Sequence, residues 1–234
     1  MVNAVRQDQI ENMANLEDDH WWFRERRHLI ARAIKGLPPS TALDIGAGAG
    51  GNTRVLESAG WKATALEFSD TGVELARARG LDAVQGDARA IPFPDNQFGL
   101  LVAYDVLEHI EQDDQVVAEI ARVVRPGGRV LIAVPADPSL WSAHDDAVGH
   151  VRRYTRAELV HLFDHQRFRI DEVRSWNVLL RPVVAFRRKS VADNDLTHLP
   201  RLVNAGLSAI IKAERFLPVG NRPGVTLLLN ATVR

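Results

Sequence analysis

Apolar positions along this chain fall into two kinds of stretch. Short, nearly continuous apolar runs occur at residues 41–45, 62–68, 82–85, 99–104 and 129–134, as expected of strands buried on both faces. Between them apolar residues return at helical spacing: Val73, Leu75 and Ala76 within residues 69–79, and Val116, Val117, Ile120, Val123 and Val124 within residues 112–124. The punctuation agrees. A helix over residues 51–59 stops at Gly60, the next opens on Ser69 or Asp70 and stops at Gly80, and Arg125-Pro126-Gly127-Gly128 breaks the third. Five strands alternating with helices predict a parallel, doubly wound α/β core.

The flanks are less regular. Residues 7–19 are polar and acidic, and residues 21–37 carry Phe23, Ile30, Ala33, Ile34 and Leu37 at helical spacing before Pro38-Pro39. The cluster His20-Trp21-Trp22-Phe23-Arg24, backed by Arg26 and Arg27, either docks this helix on the core or forms a lid in which Trp22 and Arg24 close over a ligand. Residues 135–154 read as a long polar loop. Thr155-Arg156-Ala157-Glu158 is a capping box that opens a helix reaching about Phe163. Residues 168–176 and 225–233 predict a sixth and a seventh strand, separated by an insertion with helical pieces near 179–186 and 202–217.

Residues 41–53, TALDIGAGAGGNT, join an apolar strand to a helix through glycines, which permit positive φ and a close approach to the backbone. Gly46-x-Gly48-x-x-Gly51 fits a dinucleotide, and Gly46-x-Gly48-x-Gly50 fits S-adenosylmethionine, so the glycines alone leave the ligand open. Asp44 is more telling: its carboxylate repels a pyrophosphate but can accept from a methionyl amino group. Glu67, ending the second strand, can accept from ribose hydroxyls of either ligand. Asp87, in Gly86-Asp87-Ala88 after the third strand, can accept from an exocyclic adenine amine.

Composition narrows the picture. At 234 residues and 46% hydrophobic the chain can bury a sizeable core. Its net charge of −1 supplies no global field for nucleic acid. Having no cysteine, it has no disulfide, thiolate metal site or cysteine nucleophile. The N-terminal residues lack a basic then apolar leader pattern, and no transmembrane segment is read, so a cytoplasmic protein is expected. His144, Asp145 and His150 are metal-ligating residue types, but without fixed helical spacing no metal is expected.

With Asp105-Val106-Leu107-Glu108-His109 after the fourth strand and the Arg-Pro-Gly-Gly turn before the fifth, residues 41–134 resemble the class I S-adenosylmethionine-dependent methyltransferases, type 11 and type 12 small-molecule group. The flanking HWWFRERR and SAHDDAVGHVRRYTRAEL are similar to segments of bacterial methyltransferases of mostly unassigned substrate. The resemblance implies a Rossmann-like seven-stranded sheet whose last strand runs antiparallel. It divides a single domain, 1–234, into an N-terminal helical lid (1–40), a cofactor-binding core (41–176), a helical cap insertion (177–224) and a final strand (225–234). It also implies that Asp44, Gly46, Ala47, Gly48 and Gly50 hold the methionine part, Glu67 the ribose, Phe68 the adenine face, and Asp87 with Ala88 the adenine edge. Tyr104 and Asp105 would floor the site near the sulfonium, with His109 close to the methyl group.

Methyl transfer is an in-line displacement that needs alignment and exclusion of water, and a base only where the nucleophile retains its proton. His109, His144, His150 and Tyr154 are the catalytic candidates. Trp141, His144, Arg152, Arg153 and Tyr154 are the substrate-binding candidates, the arginines suiting a carboxylate or phosphate. The insertion, with Arg187-Arg188-Lys189, is expected to cap the acceptor pocket or else to touch a membrane surface or an isoprenoid-like acceptor. The expectation is methyl transfer to a small biosynthetic molecule, with S-adenosylhomocysteine as product, by a monomer or homodimer. The alternatives are the same fold used for cyclisation or as a binding subunit, and a dinucleotide-dependent oxidoreductase.

Overall fold

The computed structural model describes residues 7–163, 167–190 and 199–234. Its strands are β1 (Thr41–Ile45), β2 (Lys62–Glu67), β3 (Ala83–Gln85), β4 (Phe98–Tyr104), β5 (Val124–Pro135), β6 (Phe168–Trp176) and β7 (Thr226–Val233). They form one sheet in the order β3-β2-β1-β4-β5-β7-β6. The pairs from β3 through β5 are parallel, while β7 runs antiparallel to both β5 and β6. The strand order reverses at β1, so the C-terminal ends of β1 and β4 open a crevice there.

The helices are α1 (Gln7–Leu16), α2 (Trp21–Ala33), α3 (Gly51–Ser58), α4 (Asp70–Ala78), α5 (Asp113–Val123), α6 (Ala143–Val148), α7 (Arg156–Phe163), α8 (Arg181–Ser190) and α9 (Arg201–Glu214). Successive strand residues point to opposite faces, and each face has its own core. Leu43, Leu101, Ile132 and Leu229 pack with Val116 and Ile120 of α5 and Leu159 and Phe163 of α7. Ala42, Leu100, Val102 and Leu228 pack with Leu29 and Ile30 of α2, Leu56 of α3 and Ile211 of α9. Burial on both faces explains why the parallel strands read as apolar runs rather than as alternation.

Four local features differ from the sequence reading. Residues 7–16 form α1 despite their polarity, because Ile10 and Leu16 are buried and Arg79 donates to Ala14 O. Helix α2 ends earlier than expected, with Ile34 as its C-cap and Gly36 at φ 81°. The Arg-Pro-Gly-Gly turn lies inside β5, whose Val124 pairs with Phe98 before the register shifts. The polar loop contains α6, held by a second capping box between Ser142 and Asp145. The capping box read at Thr155 is present, Glu158 accepting from the Thr155 amide at 2.8 Å. Of the expected lid and insertion, residues 1–6 and 191–198 lie outside the described residues, as does the Lys189 side chain.

Candidate functional site

β1 delivers the chain to a turn in which Gly46, Gly48 and Gly50 adopt φ of 65°, 54° and 85°. At Gly46 the turn is also tight, since a Cβ would stand 2.6 Å from Val106 Cγ2. Asp44 is buried beneath the turn, where one carboxylate oxygen accepts from Thr53 Oγ1 at 2.7 Å and the other has no partner. Burial, reinforced by the nearby charge of Glu67, pushes its pKa up to about 7. Glu67 accepts from the amide of Gly48 at 2.8 Å and from that of Ser69 at 2.9 Å. Asp87 pairs with Arg89, which holds its carboxyl below the usual range.

A cavity of about 430 Å³ runs from this turn to the far end of the crevice. Its wall includes Trp22, Gly46, Ala47, Gly48, Glu67, Phe68, Asp87, Ala88, Tyr104, Asp105, His109, His144, His150 and Arg153. Residues of α2, α8 and α9 cover it, among them Trp22, Val184 and Leu207. These covers are tied to one another and to the loop. Asn204 of α9 accepts from the Trp21 amide at 2.8 Å, and Arg215 pairs with Glu25. Arg188 of α8 donates to Leu140 O and to Asp145, and Arg181 pairs with Asp137.

The remaining candidates sit elsewhere. Arg24 is exposed and does not line the cavity; Arg26, one turn from Trp22, does. Arg26 is buried, pairs with Asp105, and lies 5.2, 4.8 and 5.6 Å from the ring centres of Trp22, Tyr104 and Trp176. The spacing of Trp22 and Arg26 placed them on one helical face, a signal the sequence contained. Asp44 and Gly50 support the turn from behind. Trp141, Arg152 and Tyr154 are likewise off the cavity wall. Arg152 and Tyr154 both donate to Asp113 at 2.8 Å, so they brace the loop against α5. Arg153 lines the cavity, but its guanidinium is committed to Asp145 and to Ala136 O.

Around Asp145 the loop becomes a compact histidine cluster. Asp145 bonds His150 Nδ1 at 2.8 Å, Arg153, Arg188 and the Ser142 amide. Burial opposes its ionisation, yet the His150 and Arg153 bonds prevail and hold its pKa below the usual carboxylate range. His109 Nδ1 faces Gly149 O at 3.3 Å, and its ring centre is 4.8 Å from that of His150. Burial first, and His150 second, push the His109 pKa down to about 4, leaving the imidazole neutral. Glu108, which the sequence reading passed over beside His109, is fully buried on the cavity wall, and burial together with Asp105 raises its pKa.

The glycine turn, sheet order and cavity define a doubly wound α/β fold with a crevice at its switch point, and comparison with known proteins narrows it. Residues 43–132 match the family model described as a methyltransferase domain. Over these residues the chain is similar to the methyltransferase domains of the type 11 group. It is similar to a demethylmenaquinone methyltransferase of Renibacterium salmoninarum, 31% identical over 118 residues that make up 50% of each protein. Its fold is similar to that of Haemonchus contortus phosphoethanolamine N-methyltransferase 2 in complex with S-adenosyl-L-methionine, with a TM-score of 0.64 and 19% identity over 89% of this chain and 52% of that one. It is also similar to the [4+2]-cyclase SpnF, with a TM-score of 0.59 and 20% identity over 89% of this chain and 79% of that one. The chain spans 50% to 63% of the length of curated relatives that it matches. Among the described residues no helix is long and apolar enough to cross a membrane.

Proposed function

We propose that this chain transfers the methyl group of S-adenosylmethionine to a small biosynthetic acceptor. The observation that carries this is one partly covered cavity joining the glycine turn to the histidine cluster, so that donor and acceptor could share one space. The residues fit the cofactor. A Cβ on Gly48 would meet nothing within 4 Å, which leaves its backbone open to the methionyl part, and the unpartnered oxygen of Asp44 offers an acceptor behind the turn. Glu67 retains lone pairs for ribose hydroxyls beyond its two backbone bonds. Phe68, 44% exposed, supplies a face for adenine, and Asp87 with Ala88 its edge.

S-adenosylmethionine, when bound, supplies a methyl group on a cationic sulfonium. Tyr104 and Asp105 end β4 beneath that position, and Arg26 closes it from α2. With His109 Nδ1 directed at a carbonyl, its proton sits there and Nε2 carries the lone pair. The names of the demethylmenaquinone and phosphoethanolamine relatives support a small-molecule acceptor. Thermal melting with S-adenosylhomocysteine and with NADH tests the cofactor, since a ligand of the native state raises the transition. S-adenosylhomocysteine should raise it and NADH should not; the converse overturns the reading. Label from methyl-labelled S-adenosylmethionine should then enter a small-molecule fraction. Loss of bound cofactor in Asp44→Ala with unchanged activity would instead assign the fold to a non-methylating role.

A further inference from the structure

We propose that Glu108, His109 and His150 form a site for one divalent first-row transition-metal ion on the cavity wall. One ligand atom from each residue lies within 4.8 Å of the others, and His150 Nε2 is 3.8 Å from Glu108 Oε1. Three ligand atoms bound at 2.0–2.2 Å to one tetrahedral ion stand about 3.3–3.6 Å apart, so the side chains need to close by up to about 1.5 Å on binding.

Three features point to a cation rather than to a packed polar core. First, Glu108 is fully buried and lines the cavity, yet neither carboxylate oxygen has a hydrogen-bond partner. Buried polar atoms are otherwise satisfied in folded proteins, so such a group calls for a partner, and a bound ion is one that could reach both oxygens. Second, both imidazoles are oriented from behind. His109 Nδ1 faces Gly149 O and His150 Nδ1 faces Asp145 Oδ1; both partners accept, so each ring in its neutral form carries its lone pair on Nε2. Metal-bound histidines are held in this way by a carbonyl or carboxylate at the second nitrogen. Third, the carboxylate that orients His150 is itself fixed by Arg153 and Arg188, so the sequence candidate Asp145 is committed to support and Glu108 takes the ligand position.

Two imidazoles with one carboxylate suit Zn²⁺, Co²⁺ or Fe²⁺ rather than Mg²⁺ or Ca²⁺. All three residues line the cavity in which an acceptor would sit; a role toward that acceptor rests on the proposed methyl transfer, whereas metal binding does not.

The test titrates tag-free, chelator-treated full-length protein with Co²⁺, following visible ligand-field absorption and calorimetric stoichiometry. The expected result is one Co²⁺ per chain, displaced by Zn²⁺, with binding weakened at least about tenfold in Glu108→Gln and in His150→Asn. Absence of a saturable band, or binding unchanged in both variants, overturns the site. Should the variants fail to fold, nitrogen NMR of the wild-type histidines decides: Zn²⁺ must shift the Nε2 signals of His109 and His150, and a shift confined to other histidines overturns it. Because metal binding is read without methyl transfer, either proposal can fail alone.

Discussion

Glu67, the last residue of β2, accepts from the backbone amide of Gly48 at 2.8 Å, so the strand that should hold the ribose also fixes the turn that should hold the methionine. Its other oxygen accepts from the Ser69 amide at 2.9 Å. Glu67→Gln keeps one acceptor but turns an NH₂ toward an amide donor, which costs about 1–3 kcal/mol for the unsatisfied group. Urea denaturation should show this loss, and calorimetry should show S-adenosylhomocysteine affinity falling at least about tenfold. An affinity loss without a stability loss would mean that Glu67 does not shape the free turn.

Asp44 makes stability depend on pH. Its carboxyl titrates at about 7 when folded against 3.8 unfolded, so between these values the folded chain binds a proton that the unfolded chain has released. Stability is therefore full below pH 4 and falls as pH rises to 7, by an upper bound of roughly 4 kcal/mol. Asp44→Asn, which cannot ionise, should be more stable than the parent at pH 8, with the difference fading toward pH 4. The same variant should lose S-adenosylhomocysteine binding. Parallel denaturation curves for the two proteins across this range would contradict the argument.

Much of this site was legible because its signals are local. An apolar strand ending in Asp44-Ile45-Gly46, or Glu67 at a strand end, places the residue at the crevice once the sheet is parallel, and the structure puts β1 and β2 side by side there. What stayed hidden depended on tertiary partners. Helix α1 is too polar to announce itself and rests on Arg79, which pairs with Glu17 and donates to Ala49 O at 2.8 Å. Arg152 and Arg153 looked like anion ligands because nothing in the sequence shows that Asp113 and Asp145 already hold them. Glu108 was unremarkable until burial removed water from both its oxygens.

The glycines separate turn geometry from ligand access. Gly46→Ala meets both a positive φ and Val106, so it should destabilise by about 2–4 kcal/mol through strain and overpacking. Gly48→Ala meets only the positive φ, and about 1–2 kcal/mol is expected. Its new methyl group projects toward the space assigned to the methionyl part. Gly48→Ala should therefore fold, melt a few degrees lower, and fail to respond to S-adenosylhomocysteine. A normal ligand shift in this variant would move the cofactor away from the turn.

Arg26 ties α2 to the end of β4. It pairs with Asp105, whose φ of 59° is unusual for a residue with a side chain, and stacks among Trp22, Tyr104 and Trp176. Arg26→Met keeps the length and apolar contact while removing the charge, so three cation–π contacts and one ion pair are lost. Asp105 is 38% exposed and can recover water, which limits the cost to about 2 kcal/mol. The larger effect should be local: without the pair, α2 opens more often than the sheet unfolds. Hydrogen exchange of the Trp21–Ala33 amides should rise in Arg26→Met while that of β4 stays unchanged, and bound S-adenosylhomocysteine should dissociate faster. Equal acceleration in α2 and β4 would show that Arg26 supports the whole domain and is not the latch of a lid.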